Sequence, residues 1–158
     1  MEIREVQRQD DLQIEALIRS CLKEYNADKP GCAWSDPDLG RFSKIYQGDN
    51  KKYWVAIENG KVIAGCGIGP LPIEGICELQ KMYAYPQYRG KGISQQLMDK
   101  ALDFAKAHYQ KCYLETFANM VPAIRFYQKY GFTALTKPLF ESEHYACDRW
   151  FILTLQAQ

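Results

Sequence analysis

The strongest chemical signal in the chain is Gln87-Tyr88-Arg89-Gly90-Lys91-Gly92. Gly90 and Gly92 permit backbone angles that other residues avoid, and they let a ligand approach the main chain closely. A helical pattern follows at once, with Ile93, Leu97, Ala101 and Ala105 on one face. The first amides of a helix have no internal partner, and its dipole adds partial positive charge there. Arg89 and Lys91 add two full charges, and the sum is an anion site shaped for a phosphate or pyrophosphate. It is neither a P-loop, since there is no Gly-x-x-x-x-Gly-Lys-Ser/Thr, nor a dinucleotide fingerprint, which needs Gly-x-Gly-x-x-Gly and a later acidic residue.

A second set of reactive groups lies on the strands around that turn. Glu78 stands in the apolar run Ile76–Ala84. A carboxylate on a central strand must be desolvated or paired, and either fixes or raises its pKa. It is a candidate acid–base group or a structural glutamate held by a basic or amide neighbour. Glu115, on the strand expected at Lys111–Phe117, is a second candidate. The loop His144-Tyr145-Ala146-Cys147-Asp148 gathers further titratable groups, and His144 is either an acceptor-site residue or an ordinary surface histidine. The six cysteines, at 21, 32, 66, 77, 112 and 147, form no Cys-x-x-Cys pair and suggest no metal site. Buried free thiols are expected. Cys66 and Cys77 sit where a hairpin would face them, but a disulfide is not expected in a chain that reads as cytoplasmic.

The elements that must position these groups follow from the periods. Glu2–Gln7 reads as a strand, and Asp11–Tyr25 as an amphipathic helix capped by Asp10 or Asp11. A loop through Asn26–Pro37 leads to a short helix over Asp38–Tyr46. Lys52–Glu58 and Lys61–Ile68 flank Asn59-Gly60, a tight hairpin turn. Gly69–Gly75 connects to the strand Ile76–Ala84, which Pro86 ends. Lys111–Phe117 follows the long helix, so part of the sheet is parallel. Pro122 opens a helix that runs to Tyr130 and is closed by Gly131. Phe132–Leu135 and Asp148–Leu155 are the last strands. The fold class is α/β.

The 158 residues fit one domain, 1–158, with an ordinary soluble composition of 47% hydrophobic and 25% charged residues. Twenty basic against 19 acidic residues give a net charge of +1, which argues against a general nucleic-acid surface. Met1-Glu2-Ile3-Arg4-Glu5 lacks the apolar stretch of a signal peptide, and no run approaches the roughly 20 apolar residues that span a bilayer. No membrane or nucleic-acid partner is therefore expected.

Gln87-Tyr88-Arg89-Gly90-Lys91-Gly92 resembles the Gln/Arg-x-x-Gly-x-Gly/Ala signature of the GNAT superfamily of N-acetyltransferases. Phe126-Tyr127-Gln128-Lys129-Tyr130-Gly131-Phe132 is similar to that family's Phe-Tyr-x-x-x-Gly-Phe segment, and the two blocks stand in family order. The resemblance implies a mixed, mostly antiparallel sheet of about seven strands flanked by about four helices. It also implies acetyl-CoA as co-substrate, no metal, and direct attack of an amine on the thioester. Its pyrophosphate would rest on the amides of Gln87 to Gly92. Ile93 and Ser94 open the helix there, and the Ser94 hydroxyl either binds phosphate or merely sits in the first turn. The pantetheine arm would pair with Met82, Tyr83 and Ala84 like an added strand. The main-chain amide of Met82 or Tyr83 would then stabilise the oxyanion.

By the same resemblance, Tyr127 is the general acid beside the sulfur, and Glu78 is the position of a general base acting directly or through water. The first helix–loop–helix would wall the acceptor site, making Tyr25, Trp34 and Phe42 substrate contacts or ordinary packing aromatics. The family's coenzyme-contacting asparagine falls seven residues before the tyrosine. That position is Met120 here, so Asn119, one place off, is either its replacement or an N-cap. The expected acceptor is a small-molecule amine, with a protein amine as a second option, and the expected state is monomer or homodimer. A non-catalytic acyl-CoA sensor on the same fold is the alternative reading.

Overall fold

A computed structural model describes residues 1–155, so the last three residues of the expected 1–158 span lie outside it. Its elements are β1 (Glu2–Glu5), α1 (Asp11–Glu24), α2 (Phe42–Ile45), β2 (Lys52–Glu58), β3 (Lys61–Pro70), β4 (Ile76–Ala84), α3 (Ile93–His108), β5 (Lys111–Thr116), α4 (Val121–Lys129), β6 (Thr133–Leu135) and β7 (Arg149–Thr154). The seven strands form one sheet in the order β1-β2-β3-β4-β5-β7-β6. Every pairing is antiparallel except β4 with β5, which the α3 crossover joins in parallel.

Strand alternation builds two apolar cores, one on each face of the sheet. On one face, Tyr53, Val55 and Val62 pack with Ile14, Leu17 and Ile18 of α1 and with Phe42 of α2. On the other, Trp54, Ala56, Cys77, Leu79, Cys112 and Leu114 pack against Leu97, Met98 and Ala101 of α3. Glu78, Gln80, Tyr113 and Glu115 alternate with the second set, so they fall on the α1 and α2 face.

The turns follow their residues. Asn59 and Gly60 both have positive φ, 50° and 75°, as the tight hairpin requires. Gly131, at φ 97°, closes α4, with Phe132 N donating to Tyr127 O at 3.2 Å. All described cysteines are free, five of them buried, and Cys77 lies opposite Pro70 rather than Cys66. Among the described residues, no helix is long and apolar enough to cross a membrane.

Three expectations are corrected. The helix expected over Asp38–Tyr46 shrinks to Phe42–Ile45, because turns closed by Leu39 N to Asp36 O and Arg41 N to Asp38 O precede it and Gly40 has φ 88°. Neither Asp10 nor Asp11 caps α1 with its side chain. Asp10 instead takes both Arg4 nitrogens, at 2.7 and 3.0 Å, and Asp11 accepts from Ser43 N at 2.9 Å at the start of α2. Finally, β3 extends through Gly69 and Pro70, since the expected loop pairs with β4 as far as Cys77.

Candidate active site

The parallel pairing of β4 with β5 stops after Glu78 and Tyr113, and beyond it the two strands part. Further along, between Gln80 and Tyr83, β4 also loses register with β3, opposite Gly65 to Gly67. Lys81 sits in the irregularity with φ 49°, a left-handed conformation that costs a non-glycine residue about 1–3 kcal/mol. Its carbonyl is turned out of the ladder and accepts from the Tyr53 hydroxyl at 2.8 Å. The peptide is trans, so the Met82 N–H points the opposite way, off β3 and toward the opening. Tyr83 lies opposite Gly65 and Tyr85 N bonds Ile63 O at 3.1 Å, so alternation assigns the Tyr83 amide to the β3 ladder. Of the two amides the sequence left open, Met82 is the one that faces the gap.

A cleft of about 380 Å³ runs from this gap to the start of α3. Its walls include Met82, Tyr83 and Ala84 on β4, Gly90 and Gly92 in the turn, and Tyr127 of α4. Gly90 and Gly92 have φ 75° and 82°, and a Cβ on Gly90 would meet nothing within 4 Å. Gly92 is the N-cap of α3, without a side-chain cap, and Gln96 N makes the first bond back to Gly92 O at 3.1 Å. The amides of Ile93, Ser94 and Gln95 therefore precede the helical ladder. Ser94 and Gln95 face the cleft. Ile93 itself turns into the core, and Gln87, Tyr88 and Lys91 lie outside the cleft wall, with the Lys91 ammonium 5.8 Å from the Tyr88 ring.

Arg89 lines this cleft as well, but its charge is not free. Its guanidinium forms a bidentate pair with Glu24 at 2.7 and 2.8 Å, and its Nε donates to Ala84 O at 2.9 Å. It thus ties the end of α1 to the end of β4, and its charge is matched by Glu24.

On the opposite side of the gap a second cleft, of about 370 Å³, lies between β4, the segment after α2 and the loop before β7. The two are joined by a constriction of about 70 Å³. Glu78, Glu115 and His144 line both the constriction and the second cleft, whereas Met82 and Tyr127 line the constriction and the first. Burial pushes the Glu78 carboxyl up from 4.5 to about 7, against the hydrogen bond it accepts from Gln80 Nε2 at 2.8 Å. Glu115 is held by the Tyr113 hydroxyl at 2.9 Å and by Ser142 Oγ at 2.7 Å. His144 is pushed down to about 4, first by burial and then by Lys81, so it is neutral near pH 7. Burial raises the Cys147 thiol to about 12, which leaves it protonated and a poor nucleophile.

Tyr127 is 8% exposed, and burial raises its phenol well above the ordinary value. Its hydroxyl makes no hydrogen bond to a described residue, yet the described residues include no unpartnered buried polar atom. The hydroxyl therefore opens onto the cleft.

Three sequence candidates lie elsewhere. Asn119 neither lines a cleft nor caps α4: its amide donates to Tyr25 O at 3.1 Å, the N-cap is Met120, and Met120 forms the cleft wall. Trp34 is stacked under Arg19, 4.5 Å from the ring centroid, on the outer side of α1. Tyr25 borders the cleft of Gly90 and Gly92 rather than the acceptor side, while Phe42 does line the second cleft. The residues that sequence reasoning missed are Lys81, Gln80, Tyr46, Tyr53 and Asp36. Lys81 Nζ pairs with Asp36 at 2.9 Å, both side chains nearly buried. A signal for three of the others existed in Gly65, Gly67 and Gly69. Any Cβ there would come within 2.8 Å of Tyr53 or Gln80, so the alternating glycines mark large side chains lying flat on β3.

A strand edge opened by a bulge, an uncapped helix start, and Glu78 and Tyr127 at one constriction lie together between two clefts, an arrangement suited to two substrates. The family model described as "Acetyltransferase (GNAT) family" matches residues 18–132. The chain belongs to that family and is an N-acetyltransferase. It is 37% identical over 151 residues to the uncharacterized N-acetyltransferase YjgM of Escherichia coli K12, covering 92% of this chain and 90% of that one. N-acetylaspartate synthetase of Xenopus tropicalis is 36% identical over 81 residues, 51% of this chain and 30% of that protein. In structure, the chain resembles a GNAT-family acetyltransferase from Staphylococcus aureus Mu50 with a TM-score of 0.85 at 23% identity, covering 98% and 99% of the two chains. It also resembles yncA from Salmonella typhimurium, solved with its cofactor acetyl-CoA, with a TM-score of 0.76 at 18% identity, covering 100% and 95%.

Proposed function

We propose that this enzyme moves the acetyl group of acetyl-CoA to the primary amine of a small molecule by direct attack on the thioester. The observation that carries the reading is the constriction, which Glu78 enters from one cleft and Tyr127 from the other. The first cleft fits the coenzyme: open space above Gly90 and Gly92 suits a pyrophosphate on bare amides. The unpaired edge of β4 suits an amide-bearing arm. The second cleft, of about 370 Å³, suits a small acceptor.

An alkylammonium has a reference pKa of about 10.4, so the acceptor must lose a proton before it attacks. Glu78, with its pKa near 7, takes that proton directly or through water. The amine nitrogen then bonds to the carbonyl carbon. The Met82 N–H stabilises the charge on the carbonyl oxygen. As the carbon–sulfur bond breaks, the Tyr127 hydroxyl gives its proton to the leaving thiolate, and the second proton shed by the attacking nitrogen, passed on through water, restores the phenol. Its raised pKa keeps the proton on the phenol until the sulfur demands it.

The test is thiol release from acetyl-CoA over a panel of small amines, amino acids and peptides, with coenzyme binding followed by calorimetry. Turnover on at least one small amine, lost in Glu78→Gln and Tyr127→Phe, is the expected result. Tight coenzyme binding without turnover on any amine would favour a sensor. No heat on titration with coenzyme A would sink the placement of the first cleft.

A further inference from the structure

Gln80 has no part in the chemistry so far, yet it is held from three sides. Its Nε2 donates to Glu78 Oε1 at 2.8 Å, and its Oε1 accepts from the Tyr46 hydroxyl at 2.7 Å. Its amide rests on Gly69, where a Cβ would come within 2.8 Å of Oε1. A primary amide has a donor end and an acceptor end. The donor end favours a carboxylate beside it, and the acceptor end favours a carboxylic acid. With Tyr46 occupying the oxygen, Gln80 offers Glu78 its donor end.

The surroundings of Glu78 make that choice matter. Glu115 and the phenol of Tyr113 face it from β5, and Tyr46 from the segment after α2. Cys147 adds a protonated thiol and His144 a neutral ring from the loop before β7. Burial and Glu115 favour the protonated acid. Two groups oppose them, the Gln80 hydrogen bond and the more weakly acting Lys81. Lys81 is already committed to Asp36.

We propose that Gln80 is a positioning residue that keeps the Glu78 carboxyl ionised and aimed at the constriction, with Tyr46 setting which end of the amide it presents. The role in turnover rests on the reading of Glu78 as the base, but the coupling itself is measurable without an acceptor. The protein is labelled with ¹³C at the glutamate side-chain carboxyls and titrated by NMR, and the Glu78 signal is identified by its loss in Glu78→Gln. The expected native midpoint is about 7. Gln80→Met keeps the bulk and removes the donor, and it moves the midpoint up by about one pH unit or more. Tyr46→Phe moves it the same way by less, because the released amide can turn its oxygen to the carboxyl. A midpoint unchanged or lowered in both folded variants overturns the proposal, and if Gln80→Met does not fold, Tyr46→Phe decides alone. The two readings fail separately. Acetyl transfer that survives Glu78→Gln removes the base and leaves the coupling, whereas transfer lost in Glu78→Gln with no shift in either variant keeps the base and removes Gln80.

Discussion

Replacing Glu78 by glutamine separates stability from catalysis and gives each a sign. The folded carboxyl has its pKa raised from 4.5 to about 7. A carboxyl raised in this way binds its proton more tightly folded than unfolded. The wild-type fold therefore loses stability as pH climbs from 4.5 to 7, and the loss is complete above both values. At 1.36 kcal/mol per pH unit, that interval corresponds to about 3 kcal/mol, an upper figure because water reaches the clefts that Glu78 lines. Glutamine has the same shape, carries no charge and still accepts from Gln80 Nε2. Urea denaturation at about pH 4 and about pH 9 should find Glu78→Gln within a few tenths of a kcal/mol of wild type at the lower pH. At the higher pH it should be more stable by about 1–3 kcal/mol. Acetyl transfer by the same variant should fall by about 10²–10⁴-fold. A stability difference that does not vary with pH would refute the desolvation argument, and with it the reason for regarding Glu78 as a base poised near neutrality.

Tyr127→Phe should lower kcat by about 10²-fold while leaving the KM for acetyl-CoA within about twofold, and a kcat unchanged across pH would remove the phenol from the chemistry. Gly92→Val should weaken coenzyme A binding more than about tenfold by calorimetry while the fold survives, because its φ of 82° is strained for valine and the new methyls enter the open space over the turn. Coenzyme affinity that persists in both Gly92→Val and Gly90→Val would move the phosphate site elsewhere. Arg89→Lys keeps the charge and loses the fork that grips Glu24, so it should destabilise the fold by about 1 kcal/mol and Glu24→Gln should mimic it. Unaltered stability with a weaker, more salt-sensitive coenzyme affinity would return Arg89 to the phosphate.

Most of the architecture was legible because its signals are local. The hairpin at Asn59-Gly60, the strands Lys52–Glu58 and Ile76–Ala84 and the Gly131 terminus all lie where turn chemistry and alternation put them. Of the site, the Gly90–Gly92 turn, Glu78 and Met82 to Ala84 on β4, Glu115, His144 and the Tyr127 helix were legible as candidates, and all of them border the clefts. Arg89 looked like ligand charge because nothing in its neighbourhood in the sequence announces Glu24, 65 positions away. Asn119 misled for the same reason: Tyr25 is 94 positions off, and a polar residue beside a helix start invites a local reading. Lys81 could not be found from propensity, since a positive φ at lysine is imposed by the tertiary fold and opposed by the residue itself.

The strained lysine also shows why the parts of the site belong together. Glycines at 65 and 67 leave β3 bare on one face, and the Tyr53 ring fills the space, its hydroxyl lying 2.7 Å from where a Cβ on Gly65 would be. That hydroxyl reaches across the strand and takes the Lys81 carbonyl. The Lys81 side chain is secured separately, by Asp36. One peptide is thereby turned out of the ladder, and the consequence on its other end is a Met82 N–H directed into the gap. The irregularity begins just past Gln80, which grips Glu78 on the Tyr53 face, and Glu78 is the last β4 residue paired with β5. The proposed donor for the carbonyl oxygen, the proposed opening for the coenzyme arm and the seat of the carboxylate thus adjoin one another on β4. Tyr53→Phe, by releasing the carbonyl and letting Lys81 relax toward the ladder, would disturb all three without touching a substrate.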